Sequence, residues 1–397
     1  MSLNGVVSSE RLHIGFFGLR NAGKSSLVNA VTGQELSVVS AVKGTTTDPV
    51  KKAMELLPLG PVVIIDTPGF DDVGDLGELR VKKTREILSL TDIAVLVVDA
   101  TLGLTNTDEQ LIKLFKEKNT PYIIAYNKSD ILTQNLNLKE NEILVSAVNR
   151  NGVTELKELL GKLIKQKEAP KPIVADLLNK GDKVILVIPI DEAAPKGRII
   201  LPQQLVLREL LDYNCTAICC KETDLQSTLL ALKEKPALVI TDSQVFSFVD
   251  NVLDDDVLLT SFSILFARYK GDLETLVNGA FAIKSLKDGD TVLISEGCTH
   301  HRQCNDIGTV KIPKVVQKFS GKELNFEFTS GGEFPEDLAK YNLIIHCGGC
   351  MLNEKEMRSR LEKANMQNIP IVNYGVCLAL TSGILERSLK PFKNFNK

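Results

Sequence analysis

Surplus charge and long apolar runs are both missing from this 397-residue chain. Lys+Arg number 47 and Asp+Glu 50, a formal net charge of −3. That balance supplies no bulk positive field to hold a nucleic acid. Aromatic residues make up 5% and Trp is absent, so there is no basic aromatic platform on which bases would stack. No apolar stretch reaches the roughly 18 residues that span a bilayer. The longest, Val257 to Ala267, is too short and ends in Arg268. The opening MSLNGVVSSERLH lacks the basic-then-apolar order of a secretory signal, so a cytoplasmic protein is expected, with neither membrane nor nucleic acid as partner.

Cysteine is not scarce: there are eight, with four His. In a reducing cytosol they do not read as a disulfide framework. Cys298, Cys304, Cys347 and Cys350 fall in the C-terminal third, with His300, His301 and His346. Clustered soft ligands of this kind point to metal.

At about 150 residues per domain the length predicts two or three domains. Short apolar runs alternate with helical segments, which predicts an α/β chain with mostly parallel sheets. LHIGFFGL reads as a strand and runs into Gly18-Leu-Arg-Asn-Ala-Gly23-Lys24-Ser25, a G-x-x-x-x-G-K-S loop followed by the helical SSLVNAVTG. Strand, loop and helix stand in the order a phosphate-binding loop requires. Glycines let backbone N–H groups face the phosphates, and the helix N-terminus at Ser25 and Ser26 adds a positive dipole end. Lys24 would reach the β- and γ-phosphates and Ser25 would bind Mg²⁺.

Further motifs follow in order. Gly44-Thr-Thr-Thr-Asp-Pro49 offers a Thr hydroxyl for Mg²⁺. The strand VVIID ends in Asp66-Thr-Pro-Gly69; Asp66 would hold Mg²⁺ through water and the Gly69 N–H would meet the γ-phosphate. IIAYNKSD ends in Asn127-Lys128-Ser129-Asp130, whose carboxylate can accept both guanine N1–H and N2–H. EILVSA supplies Ser146-Ala147, whose backbone can contact guanine O6. Over about residues 10–165 this set resembles small GTPases of the TrmE–Era type, which implies GTP. Phe70 stands where Ras-like proteins have a water-orienting Gln. Asn21 occupies the loop position that, in TrmE-like proteins, helps bind K⁺ beside the phosphates; the resemblance implies a cation in place of an arginine finger, and slow, K⁺-stimulated hydrolysis. By family pattern Thr46 is the Mg²⁺ ligand. Asp71, Asp72 and Glu78 read as solvated switch charges.

Glu168-Ala-Pro-Lys-Pro172 reads as a linker, placing boundaries near 170 and, from the helix DLETLVNGAFAIKSL, near 270. The divisions expected are 1–170, 171–270 and 271–397. In the middle, KVILVIPI, TAICC and ALVIT read as strands, and LPQQLVLRELLDYN and DLQSTLLALKE as helices. Cys215, Cys219 and Cys220 are expected as small core hydrophobes. With no visible chemistry, this part is expected to serve structure or self-association.

In the last third DTVLISEG leads to Cys298-Thr-His300-His301-Arg-Gln-Cys304, and LIIHCGG leads to His346-Cys347-Gly-Gly-Cys350. Both lie at strand carboxyl ends, where parallel sheets place their sites. From spacing alone, a Cys₃His zinc site and an iron–sulfur cluster on Cys298, Cys347 and Cys350 stand level. The Cys-x-His…His-Cys-x-x-Cys pattern, with GRIILPQQ and NYG, is similar to the [FeFe]-hydrogenase maturation GTPases of the HydF family. That resemblance covers essentially the whole chain. It implies a GTPase domain, a dimerisation domain and a domain holding a [4Fe-4S] cluster on Cys298, Cys347 and Cys350. His300 and His346 are weaker carry-overs, Cys304 a spare thiol and Cys377 a core residue. It also implies a homodimeric scaffold that takes a transient diiron precursor from radical-SAM maturases and passes it to apo-hydrogenase. The alternative is a TrmE–Era-like RNA-modification or ribosome-assembly GTPase with a zinc-stabilised tail.

Overall fold

Apolar runs punctuated by Gly, Asn and Asp set the order of elements. The computed structural model describes residues 8–34, 50–67, 77–133, 136–166, 171–190, 199–297 and 306–395. The chain divides into two compact units, Met1–Ala169 and Pro170–Lys397.

In the first unit, β1 (Leu12–Phe17), β2 (Val50–Leu56), β3 (Gly60–Asp66), β4 (Ile93–Asp99), β5 (Tyr122–Asn127) and β6 (Glu142–Leu144) form one sheet in the order β2-β3-β1-β4-β5-β6. Only β2 runs antiparallel, on β3. It is an edge strand carrying Lys51, Lys52 and Glu55, charges that discourage a further chain from pairing there. The central β4, IAVLVVD, is buried from Ile93 to Val98, as a parallel strand covered on both faces must be. The covers are helices. Leu27 and Val31 of α1 (Lys24–Thr32) and Leu156 and Leu160 of α4 (Val153–Gln166) join one core cluster. Ile87 and Leu88 of α2 (Gly77–Leu90) and Leu111 and Phe115 of α3 (Asn106–Glu117) join the other. α3 starts sharply because Thr105 and Asp108 bond each other's backbone N–H in a capping box.

The second unit holds two four-stranded parallel sheets. The first comprises β7 (Lys183–Val187), β8 (Thr216–Cys220), β9 (Leu238–Thr241) and β10 (Leu259–Ser261), connected through α5 (Leu201–Asp212), α6 (Leu225–Ala231) and α7 (Phe246–Val252) and followed by α8 (Phe262–Lys270). After α9 (Leu273–Phe281), the other comprises β11 (Thr291–Ser295), β12 (Asn325–Thr329), β13 (Leu343–His346) and β14 (Ile371–Asn373), with α10 (Ile312–Ser320), α11 (Glu354–Met366), α12 (Tyr374–Thr381) and α13 (Leu385–Leu389). Their orders are β10-β9-β7-β8 and β12-β11-β13-β14. Both therefore place the second strand at an edge, the first beside it, then the third and fourth.

The two sheets share one continuous apolar core running from Ile173 to Phe392. The two sheets, one on either side of the boundary expected near 270, pack together in one compact unit. The reason is that α8 packs on α11 and α12, and α9 on β14. The expectation that Cys219 and Cys220 are core residues fails for Cys219, while Cys220 packs against the core. β8 is an edge strand, Cys219 is exposed and Cys220 half-buried. Cys215 is buried, with its sulfur on the Asn179 carbonyl at 3.4 Å, and Cys377 is fully buried. Among the described residues no helix is long and apolar enough to cross a membrane.

Candidate functional site

The phosphate loop follows β1 and closes on α1. Gly18 has φ 149°, and a Cβ there would lie 2.3 Å from the Val97 carbonyl oxygen. Gly23, φ 82°, caps α1, and a Cβ there would lie 2.2 Å from Asn127 Nδ2. Neither position tolerates a side chain. Asn21 sits at the exposed tip with φ 65°. Lys24 is buried, its Nζ 2.8 Å from Asp66 Oδ1, and Ser25 Oγ donates to Asp66 Oδ2 at 3.0 Å. The end of β3 thus gathers the cation and the hydroxyl that the loop presents; Ser26 lies beside them in the first turn of α1.

The second wall comes from β5 and β6. Asn127 is 2% exposed; its Nδ2 donates to the Ala22 carbonyl at 2.9 Å and its Oδ1 accepts the Ala147 N–H at 3.0 Å. The Ser146 N–H donates to the Asn151 carbonyl, and Ser146 Oγ to Asp130 Oδ1 at 2.5 Å. Both backbone amides expected to meet guanine O6 are therefore engaged within the protein, and a base contact at Ala147 competes with Asn127. Lys128, φ 65°, reaches Asp99 Oδ2 at 2.5 Å. Burial pushes the Asp99 carboxyl up, but bonds from Lys128 and Thr101 outweigh it and hold it below the ordinary value. Asp99 was missed in the sequence, although its place at the end of an apolar strand facing the NKSD strand was a usable signal. Thr46, Gly69, Phe70, Asp71 and Asp72 lie outside the described residues, as does the side chain of Glu78 in α2.

A second constellation lies at the carboxyl ends of β11 and β13, the first and third strands of the last sheet. Connections leave these two in opposite directions, which opens a crevice between them. The Gly297 N–H, just past β11, donates to Cys347 Sγ at 3.0 Å, and the Gly349 N–H donates to the same sulfur at 3.4 Å. Fifty residues of sequence are closed here by strand register, since Ser295 pairs with His346. Cys347 and Cys350 are half-buried. Burial pushes the Cys350 thiol up and the Cys347 sulfur adds to this, while the Lys270 ammonium pulls it down. Cys298, His300, His301 and Cys304 lie outside the described residues. Among those that are described, no group of three or more His, Cys, Asp and Glu gathers as a metal set.

His346 departs from its expected role as a possible ligand. It is fully buried, and Arg360 Nη1 donates to its Nε2 at 3.0 Å. A guanidinium only donates, so Nδ1 carries the proton and gives it to the Cys347 carbonyl at 2.7 Å. Both ring nitrogens are used, and His346 is a strut under the loop. Arg360 is itself fixed by Glu356 and the Gly331 carbonyl, each at 2.9 Å. Beside the crevice, Tyr374 Oη donates to Glu296 Oε1 at 3.2 Å. Burial first, then the Glu296 charge, pushes that phenol far above its ordinary value. Gly308 closes over the pair: a Cβ there would lie 2.3 Å from both oxygens. Glu296, Arg360 and Tyr374 carried no motif signal beyond the position of Glu296 at a strand end and of Tyr374 in NYG.

Residues 173–271 match a family model described as the hydrogen maturase F dimerization domain, and residues 274–391 one described as the hydrogen maturase F tetramerization domain. Residues 13–128 match a model of 50S ribosome-binding GTPases. The chain belongs to the hydrogen maturase F family. Its matched segments are those of a hydrogen maturase carrying a GTPase domain. GTPase Der of Kosmotoga olearia is 35% identical over 146 residues, 36% of this chain and 32% of that protein. The tRNA modification GTPase MnmE of Desulforamulus reducens is 33% identical over 169 residues, 40% of this chain and 36% of that protein. The chain thus spans about a third of the length of these curated relatives. Among solved structures, the Era protein of Aquifex aeolicus is 19% identical, with 52% of this chain and 91% of that one covered and a TM-score of 0.34.

Proposed function

We propose that this GTPase is a scaffold and carrier in [FeFe]-hydrogenase maturation, holding a [4Fe-4S] cluster on Cys298, Cys347 and Cys350. The observation that carries the reading is the closure of Gly297, the residue before Cys298 in the chain, onto Cys347 Sγ. The donor set fits a cluster. Two thiols flank Gly348-Gly349 at a strand end, and two backbone N–H groups already point at one sulfur, the arrangement that stabilises a metal-bound thiolate. Cys298, Cys347 and Cys350 would hold the cluster, which would offer a fourth iron to an incoming diiron precursor. The chain's own contribution is to hold the thiolates, keep His346 out of the ligand set and shield the loop with Arg360 and Glu356.

The precursor comes from radical-SAM maturases and leaves to apo-hydrogenase. GTP acts as a switch on these contacts. Lys24 turns from Asp66 to the β- and γ-phosphates, Ser25 and Thr46 hold Mg²⁺, Gly69 meets the γ-phosphate and Asn21 orients K⁺. Hydrolysis is slow and K⁺-stimulated, for want of a Gln at position 70. Self-association as a homodimer rests on the 173–271 match; the unpaired edge β8, with exposed Thr216 and Cys219, supports it.

The test is anaerobic reconstitution with iron and sulfide, followed by loading through the maturases and activation of apo-hydrogenase. An iron chromophore that disappears in C298A, C347A and C350A supports the reading. One zinc per chain with no iron uptake overturns it. Equal hydrolysis rates in K⁺ and Na⁺ overturn the role of Asn21.

A further inference from the structure

Lys270 is the last residue of α8 and is 2% exposed. A buried ammonium costs several kcal/mol unless it is well partnered, so its direction is informative. Its Nζ donates to the Leu352 carbonyl at 2.9 Å, lies 3.4 Å from the Cys350 carbonyl and stands 5.8 Å from the centre of the Phe266 ring. The lysine belongs to the segment matched as a dimerization domain, and the two carbonyls to the segment matched as a tetramerization domain. Leu352 is gripped at its other end too. Its side chain is 4% exposed and packs so closely on Gly297 that a Cβ there would come 2.6 Å from Leu352 Cγ. The chain Lys270, Leu352, Gly297 therefore fastens the Cys347–Cys350 loop and the residue just past β11 to α8.

We infer that Lys270 is a positioning residue for the cysteine site, clamping the Cys347–Cys350 loop through its carbonyls and setting a fixed positive charge beside the thiolates. A plain packing role would need only the methylenes. The charge does two further things. It holds the carbonyl dipoles of Cys350 and Leu352. It also favours whichever state of the site carries more negative charge, which is the reduced state of a thiolate-held cluster. The charge effect rests on the cluster reading above; the clamp does not.

Three full-length variants separate the two. K270M removes clamp and charge, K270Q keeps a donor without charge, and K270R keeps charge. The readouts are the midpoint potential of the reconstituted cluster and hydrogen exchange of residues 347–353 in the metal-free protein. The expected result is a more negative midpoint in K270M and K270Q, with K270R near wild type. Exchange becomes about tenfold faster in K270M and changes little in K270Q. Midpoints equal to wild type in K270Q overturn the charge effect. Should K270M fail to fold, a fourth variant, K270A, which also removes the donor, takes its place, and wild-type-like protection of residues 347–353 in whichever of the two folds overturns the clamp. A wild-type protein that takes up no cluster sinks the proposed function instead, and exchange alone then judges Lys270.

Discussion

Asn127 Nδ2 donates to the Ala22 carbonyl across 105 residues of sequence, while its Oδ1 accepts the Ala147 N–H. One buried amide thereby joins the phosphate loop to the loop expected at the base. Asn127→Ala leaves both groups without this partner. The expected outcome is a loss of about 1–3 kcal/mol in stability and GDP binding weaker by about tenfold or more through lost preorganisation. Calorimetric titration measures it; unchanged affinity would show that the two loops hold their places without the strut.

The Lys24–Asp66 pair carries both chemistry and stability. Lys24→Met is expected to lower GTP turnover by about a hundredfold or more. It also leaves a buried carboxylate short of its cation, costing about 3 kcal/mol. Lys24→Met combined with Asp66→Asn removes the uncompensated charge, so much of the stability returns while hydrolysis does not. Thermal melts and phosphate release, measured on the same samples, distinguish these outcomes.

Acid sensitivity of the first unit is expected to run partly through Asp99. Its carboxyl is held below the ordinary value, with burial opposing and Lys128 and Thr101 prevailing. A lowered folded-state value means the contribution is present above the ordinary carboxylate pKa and disappears as pH falls through the lowered one. Asp99→Asn should flatten the acid side of the stability-against-pH curve and leave the alkaline side alone. Urea melts from neutral pH downward provide the check.

Thiol reactivity should separate by position. Cys219 is exposed, whereas Cys377 is fully buried and burial pushes its thiol up to about 12. The thiolate is the reacting form, so iodoacetamide near pH 8 should modify Cys219 in the monomer, more slowly once β8 is covered in the dimer, and Cys377 only after unfolding. Site-resolved mass spectrometry reads this directly. Prompt modification of Cys377 would contradict the packing of α12.

Local patterns carried much of this molecule. A glycine loop between an apolar strand and a helix, and strands ending in DTPG and NKSD, specify a nucleotide fold because each motif is contiguous. Cys347 was legible as a strand-end residue for the same reason. What stayed hidden depends on partners distant in sequence. Nothing local marks Lys270 as facing carbonyls 80 residues on, or His346 as spent between Arg360 and a carbonyl. Cys219 was misplaced because TAICC is apolar enough for a central strand, while sheet order puts it at the edge. The joined core of the second unit was equally out of reach, since it follows from α8 and α9 packing onto the later sheet.

The shared strand order of the two parallel sheets has a consequence of its own. Wiring of this kind creates one fork per sheet, where the chain departs first to one side and later to the other. The later fork is bordered by Gly297 and Cys347; its counterpart is bordered by Ile188, just past β7, and Thr241, the last residue of β9. Even the exits agree: Ser261 and Asn373 each cap the helix that leaves a fourth strand. The second unit is thus one plan laid down twice, with sulfur in one socket and apolar and hydroxyl groups in the other.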